Sequence, residues 1–401
     1  MAIRYASELP SGADLVVVGG GVIGAATAFH AARAGLRPLL VEARPALCSL
    51  TTAVAAGGFR LQQDSEREIR LVRESDELFA NFEEITGQDE YDPAVRRNGY
   101  LWVTRTEGGA ERQRRVVATQ RTWGLTDVDL LGGDEARRAF PFLSPDVTHA
   151  RFRQGDGLID PKALTFGLAS GACEAGALVA VGCAVVGIRV EGGRVSGVET
   201  TRGPIGADAV VVASGPLSGR VAAMAGLELP VTTVRRHKMV MPEVPQVPAN
   251  APMTIDEDTG AHWRPAFRGA ALLFTDPTTP PSPPAEDVPL DHRFAFQVLD
   301  PASPTSVAHV TPFWREVWEF GARHGFLQAG QYTMTPDRLP LIGPTPVEGL
   351  HLNTGYSGHG VMLGPAGSRL LVEVITGKVG PEENPFRPDR PMDRREPLGL
   401  L

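Results

Sequence analysis

Three glycines at a fixed spacing are the first residues whose types suggest chemistry. Gly19-x-Gly21-x-x-Gly24 follows an apolar run, 14–18, and opens an alanine-rich segment. In a strand-to-helix turn, the first glycine permits a tight bend, the second lets the backbone approach a pyrophosphate, and the third lets the helix pack against the strand. The spacing alone is a weak signal, because a glycine turn can also be purely structural. Its position between a predicted strand and a predicted helix favours dinucleotide binding.

An acid after the next predicted strand strengthens this interpretation. The segment 37–41 is rich in apolar residues, and Glu42 follows it directly. A carboxylate at the end of this strand can bind ribose hydroxyls, and it disfavours the 2′-phosphate of NADP. The alternative is an ordinary surface acid. Strand, glycine turn, helix, strand and acid together predict one βαβ unit.

Composition excludes several classes of protein. The chain has 401 residues, of which 42% are hydrophobic and 21% charged, and its net charge is −8. This length predicts two domains, and the acidic balance disfavours a nucleic-acid partner. No stretch approaches the roughly 20 apolar residues that a membrane span needs. The three cysteines have neither metal-ligand nor disulfide spacing, so we expect no metal and a reducing compartment. With no export signal visible, we expect a cytoplasmic protein, and an oligomer is possible.

The remaining chain alternates helical and strand patterns around a region of different character. Helical spacing and strand-type runs predict helices at 65–86, 162–175 and 361–376, and strands at 100–104, 185–190, 195–200, 209–213 and 350–353. From 231 to 330 β-type runs dominate, and the proline-rich stretch 277–289 cannot form regular structure. The predicted fold is therefore an α/β nucleotide-binding domain, which the C-terminal part rejoins, with a second domain inserted.

Six segments resemble the FAD-dependent D-amino-acid oxidase family, particularly its sarcosine oxidase and glycine oxidase branches. They extend over nearly the whole chain: 14–44, Thr51-Thr-Ala-Val-Ala-Ala-Gly-Gly-Phe-Arg60, 155–161, 209–215, Thr335-Pro-Asp-Arg-Leu-Pro-Leu-Ile-Gly-Pro344 and Gly355-Tyr-Ser-Gly-His-Gly-Val-Met362. The resemblance implies an α/β fold in which a Rossmann-type, GR2-like FAD-binding domain carries an inserted α+β substrate domain built on an antiparallel sheet. The expected FAD-binding domain comprises 1–90, 145–225 and 330–401, and the substrate domain comprises 91–144 and 226–329.

The resemblance also implies which residues hold FAD. The adenine is expected near Val185, the pyrophosphate near 49–52, and the flavin ring against Gly57, Gly58 and the loop 358–362. A helix beginning near Gly360 would direct its positive end at the negative charge of a reduced flavin. The full expected set is Gly19, Gly21, Val22, Ile23, Gly24, Glu42, Ala43, Arg44, Ser49, Thr51, Thr52, Gly57, Gly58, Val185, Ala213, Ser214, Gly215, Gly358, His359, Gly360, Val361 and Met362.

Two departures from the family pattern indicate how FAD is attached. Sarcosine oxidase-like proteins often bond the flavin to a cysteine just before a Tyr-Thr pair, whereas Gly330 and Gln331 precede Tyr332-Thr333 here. No histidine lies between Cys48 and Gly58, where dimethylglycine dehydrogenase-like relatives attach the cofactor. We therefore expect non-covalent FAD.

Other departures affect the substrate carboxylate. The glycine oxidase and D-amino-acid oxidase branches have a carboxylate-binding arginine where this chain has Tyr332. Sarcosine oxidases use an arginine that aligns with Arg60 and a lysine that aligns with Met362, so only Arg60 remains. Its planar fork suits a carboxylate. The alternative is a surface arginine paired with Asp64 or Glu66.

Further groups are possible substrate ligands. Without the lysine, the carboxylate is held more weakly or by another group such as Arg264, or the substrate is an amine without a carboxylate. His359 could orient substrate or influence flavin charge, and Tyr332 and Tyr356 could donate hydrogen bonds. Each of these three positions is equally compatible with a packing or backbone role.

The functional hypothesis is FAD-dependent oxidation of the C–N bond of a small amino acid or amine. Hydride transfer to the flavin gives an imine that is then hydrolysed, and O2 or an electron carrier is the final acceptor. None of Lys162, Lys238 and Lys378 matches the lysine that promotes oxygen reactivity in sarcosine oxidases, so oxidase and dehydrogenase are not separated. The alternatives are a carrier-linked dehydrogenase of proline-like imino acids, a flavoprotein assembly factor with little catalysis, and an NAD-dependent dehydrogenase.

Overall fold

Two large sheets organise the protein, whose computed structural model describes residues 3–320 and 324–393. In chain order, the described strands are β1 (Gly12–Val18), β2 (Pro38–Val41), β3 (Gly58–Phe59), β4 (Tyr100–Thr104), β5 (Asp129–Gly132), β6 (His149–Arg153), β7 (Gly157–Leu158), β8 (Leu178–Ala180), β9 (Val185–Glu191), β10 (Arg194–Thr200), β11 (Gly203–Val212), β12 (Thr232–Met241), β13 (Met253–Asp256), β14 (Ala261–Ala266), β15 (Gly269–Phe274), β16 (Phe326–Met334), β17 (Leu341–Pro344) and β18 (Leu350–Thr354). The helices are α1 (Val22–Arg33), α2 (Glu66–Ala80), α3 (Phe82–Thr86), α4 (Glu107–Thr122), α5 (Gly133–Ala139), α6 (Pro161–Glu174), α7 (Ser218–Ala223), α8 (Arg293–Leu299), α9 (Phe313–Glu319) and α10 (Gly360–Ile375).

The first sheet is a Rossmann-type sheet. Its order is β17-β18-β11-β1-β2-β8, with the β9–β10 hairpin attached to β11. Strands β8, β2, β1, β11 and β18 run parallel to one another, whereas β17 and β10 pair antiparallel with β18 and β11. Helix α1 packs against both α6 and α10 over this sheet. Strands β1 and β2 are apolar because both of their faces are covered. The predicted α/β fold and its C-terminal return are confirmed.

The second sheet forms the wall that faces the nucleotide-binding part. Its order is β16-β12-β15-β14-β13-β4-β6-β5. Every pair is antiparallel except β13 with β4. The antiparallel substrate sheet implied by the family resemblance is therefore present. It takes its strands from 100–153 and 232–334, so β6 and part of β16 extend beyond the segments expected for the substrate domain.

The helices of the structure differ from the sequence prediction at two places. The predicted helix 65–86 is interrupted at Asn81, whose side-chain amide donates to the carbonyl of Glu77 (3.0 Å), so that α2 and α3 are separate. Helix α4 was not predicted, because its sequence holds two glycines and only a thin apolar stripe among many charges. Its N-cap is Thr106, whose Oγ1 accepts from the Gly109 amide (3.1 Å).

The proline-rich stretch 277–289 is irregular, as predicted, and is fastened to the protein by side chains. Gln331 donates from its amide to Pro283 O (2.7 Å), and Arg235 donates to Pro289 O (3.2 Å). Arg220 and Arg44 bond the carbonyls of Pro284 and Glu286. The stretch therefore lies as a fixed strap across the edge of β12 and β16.

Two further features concern the expectations from composition. Cys48, Cys173 and Cys183 are buried free thiols. Among the helices of the described residues, none is both long and apolar enough to cross a bilayer. A cytoplasmic location stays a prediction.

Candidate functional site

The glycine turn between β1 and α1 is built as close packing requires. Gly19 has φ +116°, and a Cβ on it would come within 2.6 Å of the Ala213 carbonyl. A Cβ on Gly24 would lie 1.8 Å from the Gly19 carbonyl. A Cβ on Gly21 would meet only Thr52 Oγ1, at 3.1 Å. Gly19 and Gly24 are thus required by the fold itself, whereas Gly21 keeps open the space in front of the helix.

The N-terminus of α1 presents unneutralised donors to that space. The helix has no side-chain cap and no acid in its first turn. Thr52 Oγ1 accepts from the Val22 amide at 3.3 Å. An uncapped helix start behind a glycine turn suits a pyrophosphate.

The Glu42 carboxylate stabilises the glycine turn by accepting hydrogen bonds from backbone amides. Its Oε2 accepts from the Gly20 amide (2.6 Å) and its Oε1 from the Arg44 amide (2.8 Å). The Glu42 carbonyl accepts from the Cys183 amide (2.9 Å), which brings the chain before Val185 beside the acid. Each carboxylate oxygen keeps a second lone pair for a ribose hydroxyl. The Arg44 side chain, by contrast, contacts the strap.

The end of β11 closes the other side of the turn. The Ala213 amide donates to Val18 O (2.9 Å). The hydroxyl of Ser214 is buried without a hydrogen-bond partner among the described residues. A buried hydroxyl with no partner is costly, so one beside an anion-type cradle indicates a ligand group that completes it.

A cavity of about 550 Å³ lies between the nucleotide-binding sheet and the second sheet. Its lining includes most of the expected flavin residues: Val22, Ile23, Thr51, Thr52, Gly57, Gly58, Gly215, Gly358, His359, Gly360, Val361 and Met362. The fold therefore brings residues from the N-terminal and the C-terminal parts of the chain to one cavity. Gly19, Gly21, Gly24, Glu42, Ala43, Arg44, Ser49, Val185, Ala213 and Ser214 lie outside the cavity lining, and the contacts above place several of them around the glycine turn.

The start of α10 forms one end of this cavity. The helix begins at Gly360 after His359 and has no side-chain cap. Gly358 has φ +95°, and a Cβ there would lie 2.5 Å from the Tyr332 ring. The glycine is therefore required both by the backbone and by the close approach of the tyrosine.

Arg60 is brought into the cavity and is not a surface residue. It is 4% exposed, so the surface alternative is wrong. Its Nη1 contacts the Gln62 carbonyl, and its Nη2 lies 3.3 Å from His359 Nε2. The guanidinium carbon is 5.4 Å from the Trp102 ring centroid, a cation–π distance.

Acidic side chains surround this arginine. Glu68 Oε1 lies 3.4 Å from His359 Nδ1, which links Glu68, His359 and Arg60 in one row. Burial raises the pKa of Asp64, while Arg60 opposes the shift. The contacts with Glu68 and Arg60 position the imidazole of His359 at the start of α10.

The remaining predicted substrate residues have different surroundings. Tyr332 lines the cavity, and burial raises its pKa. Tyr356 also borders the cavity, but it packs in the core and its hydroxyl donates to Asn353 Oδ1 at 2.5 Å. Arg264 is absent from the cavity lining and donates to the Pro265 carbonyl (2.8 Å). Met362 fills the position of the family's lysine and has its Sδ 3.0 Å from Gln63 Nε2.

Three polar cavity residues that the sequence did not assign to the site are Arg236, Lys238 and His262, and Arg338 is a further one. Arg236 and Lys238 are alternate residues of β12, and His262 lies on β14; all three side chains line the cavity. Burial lowers the pKa of His262 to about 4. Its Nδ1 lies 2.9 Å from the Gly260 carbonyl, which can only accept, so Nδ1 carries the proton and Nε2 is an acceptor.

Lys238 destabilises the folded protein at neutral pH. Burial lowers its pKa to about 8, and Arg264 and Lys162 add repulsion. Below pH 8 the lysine is protonated in both the folded and the unfolded protein, but the folded protein binds the proton less tightly, which lowers the free energy of unfolding. This penalty shrinks as the folded lysine loses its proton above pH 8, and it disappears once the unfolded lysine also titrates, near pH 10.4. Lys238→Met is expected to raise the free energy of unfolding by about 1–2 kcal/mol at pH 7, after loss of the bond to Ala55 O, and the gain should shrink towards pH 10.4.

Urea unfolding of the FAD-saturated protein at pH 7, 9 and 10.4 measures this. Lys378→Met is the control, because Lys378 is exposed and is not among the charges that act on Lys238. A gain for Lys238→Met that is the same at all three pH values would contradict the assignment.

Comparison with known proteins identifies the family. A family model described as "FAD dependent oxidoreductase" (DAO) matches residues 14–374. The chain belongs to this family. FAD is therefore its cofactor, and the open helix start, the glycine spacing and the partnerless Ser214 hydroxyl fit a dinucleotide.

The oxidoreductase is similar to curated dehydrogenases. It is 28% identical to mitochondrial sarcosine dehydrogenase of Mus musculus over 95% of this chain, but it spans only 41% of that protein's length. It is 29% identical to D-amino acid dehydrogenase of Cereibacter sphaeroides over 91% of this chain and 92% of the relative.

Solved structures have the same fold. L-proline dehydrogenase from P. horikoshii superposes with a TM-score of 0.82 at 25% identity, covering 95% of this chain and 98% of the other. Glycine oxidase from Geobacillus kaustophilus gives a TM-score of 0.81 at 26% identity, covering 95% and 100%.

Proposed function

We propose that this oxidoreductase oxidises the C–N bond of a small amino acid or related amine to an imine, which is then hydrolysed. The cavity supports the proposal best. Expected flavin-binding residues form one wall, and the inner face of the second sheet forms the other. Its volume of about 550 Å³ leaves room for a small substrate beside a ring system. The names of the relatives, which include sarcosine, glycine, proline and D-amino acids, agree with this substrate range.

FAD, when bound, supplies the redox chemistry by accepting a hydride from the carbon beside the nitrogen. The protein's task is positioning and electrostatics. Gly57 and Gly58 have no side chains, so the flavin ring can lie directly against their backbone. The uncapped N-terminus of α10 directs the positive end of the helix dipole into the cavity.

Apolar side chains exclude water from the reacting bond. Met253, Ile255 and Leu273 project from the second sheet into the cavity. A dry site strengthens each remaining polar contact. A substrate held between these apolar side chains and Gly57-Gly58 would direct its C–H bond towards the residues that hold the flavin.

Two side chains would orient the substrate nitrogen and its neighbours. His262 Nε2 is an acceptor for an amine N–H, and the imidazole stays neutral at physiological pH because its pKa is near 4. The Tyr332 hydroxyl is a donor at the same cavity. No side-chain base is needed if the amine binds neutral.

Anaerobic spectroscopy tests the proposal. The FAD-loaded protein is mixed without oxygen with sarcosine, glycine, proline, D- and L-alanine and their decarboxylated counterparts. At least one compound should bleach the flavin absorbance, and the product should be an imine or its carbonyl hydrolysis product. A spectrum that stays oxidised with every compound would refute amine oxidation and favour an assembly or binding role.

The same samples identify the electron acceptor. Reoxidation by O2 at a rate near turnover indicates an oxidase, whereas slow reoxidation with fast dye reduction indicates a carrier-linked dehydrogenase. A cytoplasmic location remains a prediction that accompanies the proposal.

A further inference from the structure

Two arginines line the cavity without a direct ion pair to a carboxylate of the described residues. Arg236 lies on β12, and Arg338 lies in the turn after β16. Within the described residues, neither guanidinium forms an ion pair with a carboxylate. Buried or half-buried arginines normally have such a partner. Two of them at one cavity therefore make an anion-binding wall.

Arg236 is held in place but is not neutralised. Its Nη1 donates to the Asp276 carbonyl (2.9 Å) and to Thr279 Oγ1 (2.7 Å). The Asp276 carboxylate itself accepts from Thr278, at 2.7 Å from the amide and 2.6 Å from the hydroxyl. The Nε of Arg236 is buried with no partner in the part of the chain that is described. The guanidinium thus keeps donor capacity for a ligand.

The electrostatics of Arg236 agree with an anion site. Burial lowers the pKa of Arg236, Tyr332 and Asp276 oppose that shift, and the positive charge of Arg338 adds to it. An anion bound at Arg236 would reduce the repulsion from Arg338.

The register of β12 and β16 places Arg236 at the substrate end of the cavity. Tyr332 pairs with Val234, and Gly330 pairs with Arg236, so no side chain stands between Arg236 and the tyrosine ring. The guanidinium carbon lies 5.8 Å from the centroid of that ring. Both Arg236 and Arg60 act electrostatically on Tyr332.

We propose that Arg236, assisted by Arg338, binds the substrate carboxylate and supplies the second cationic group that Met362 does not. The inference rests on the proposed amine oxidation and names its substrate class: amino or imino acids with a free carboxylate, rather than simple amines. Arg60 would face the same carboxylate from the opposite wall.

Matched substrate pairs and a ligand titration test the inference on the FAD-loaded protein. Sarcosine is compared with dimethylamine, and proline with pyrrolidine; acetate and benzoate binding is followed by the shift of the flavin spectrum. For Arg236→Gln we expect KM of the carboxylate substrate and Kd of acetate and benzoate to rise about 30- to 100-fold, as for a lost charge-assisted pair. The preference for each amino acid over its matched simple amine should shrink by the same factor, and FAD Kd should change less than about twofold.

The chain provides a matched control and a second variant. Arg235 lies next to Arg236 but points to the opposite face of the strand and contacts Pro289 O, so Arg235→Gln should leave every constant within about twofold. Arg338→Gln removes a guanidinium that forms no hydrogen bond to the described residues, so the variant should fold, and it should weaken carboxylate binding about tenfold.

The outcomes separate the inference from the proposed function. If amines and amino acids are oxidised equally well, or if both variants keep wild-type carboxylate affinity, the inference fails while amine oxidation stands. A loss of FAD affinity in place of carboxylate affinity would assign the arginines to the cofactor and overturn it. If no compound reduces the flavin, the proposed function fails, and unchanged acetate and benzoate binding in the variants would then refute the anion site as well.

Discussion

Gly24→Ala is expected to give no FAD-containing protein, whereas Gly21→Ala should fold and bind FAD weakly. In Gly24→Ala the new methyl group would lie 1.8 Å from the Gly19 carbonyl, a contact that forces α1 away from β1. In Gly21→Ala it would meet only Thr52 Oγ1, at 3.1 Å, and the φ of −80° suits any residue. The methyl group would instead occupy the space where a pyrophosphate approaches. We expect FAD Kd to rise about 100-fold or more.

Thermal unfolding of the apoprotein and FAD titration measure the two effects separately. Gly35→Ala is the control for glycine loss near this helix, since its Cβ would have no neighbour within 4 Å and only the positive φ opposes it. Apo-Gly21→Ala should melt within a few degrees of wild type. Wild-type FAD affinity in Gly21→Ala would show that the turn does not hold the dinucleotide.

Arg60→Lys is expected to raise KM for a carboxylate substrate about 100-fold while the protein still folds. A lysine cannot reproduce the planar fork that contacts Gln62 O and His359 Nε2 and lies over Trp102. It keeps a positive charge beside Asp64 and Glu68, so the acids are not left without a cation. The loss should therefore appear in substrate binding more than in stability.

Steady-state kinetics with a carboxylate substrate and its decarboxylated counterpart measures this. Arg97→Lys is the control, because Arg97 is an arginine that also lies over a ring, that of Phe59, but is not part of the cavity lining. An unchanged KM in Arg60→Lys would remove Arg60 from carboxylate recognition and limit it to holding His359.

The nucleotide-binding part could be predicted from local sequence because its constraints are local. Gly19 and Gly24 are needed by backbone geometry within one turn, and Glu42 ends the next strand. Each of these structural requirements can be read in the sequence as a particular residue type at a fixed spacing. The interruption of the 65–86 helix at Asn81 was missed, because Asn81 leaves the helical conformation (φ −118°, ψ 35°) without disturbing the apolar spacing.

The substrate wall was less predictable because it depends on register. In Val234-Arg-Arg-His-Lys238, the residues Arg236 and Lys238 face the cavity, and Arg235 contacts Pro289 in the strap. His237 borders the cavity and accepts from the Asp291 amide. The sequence alone does not say which face of β12 is inside, since both faces carry charge. Arg264 was named for its place in the second domain, but its guanidinium contacts Pro265 O and stays out of the cavity lining.

A crystal structure of the FAD complex with bound acetate or benzoate tests the central claim most directly. We predict an isoalloxazine ring between Gly57, Gly58 and the start of α10 on one side and the inner face of the second sheet on the other. The carboxylate should lie beside Tyr332, within hydrogen-bond distance of Arg236. A ring bound elsewhere, or a cavity of about 550 Å³ filled by the protein's own side chains when FAD is bound, would contradict the account.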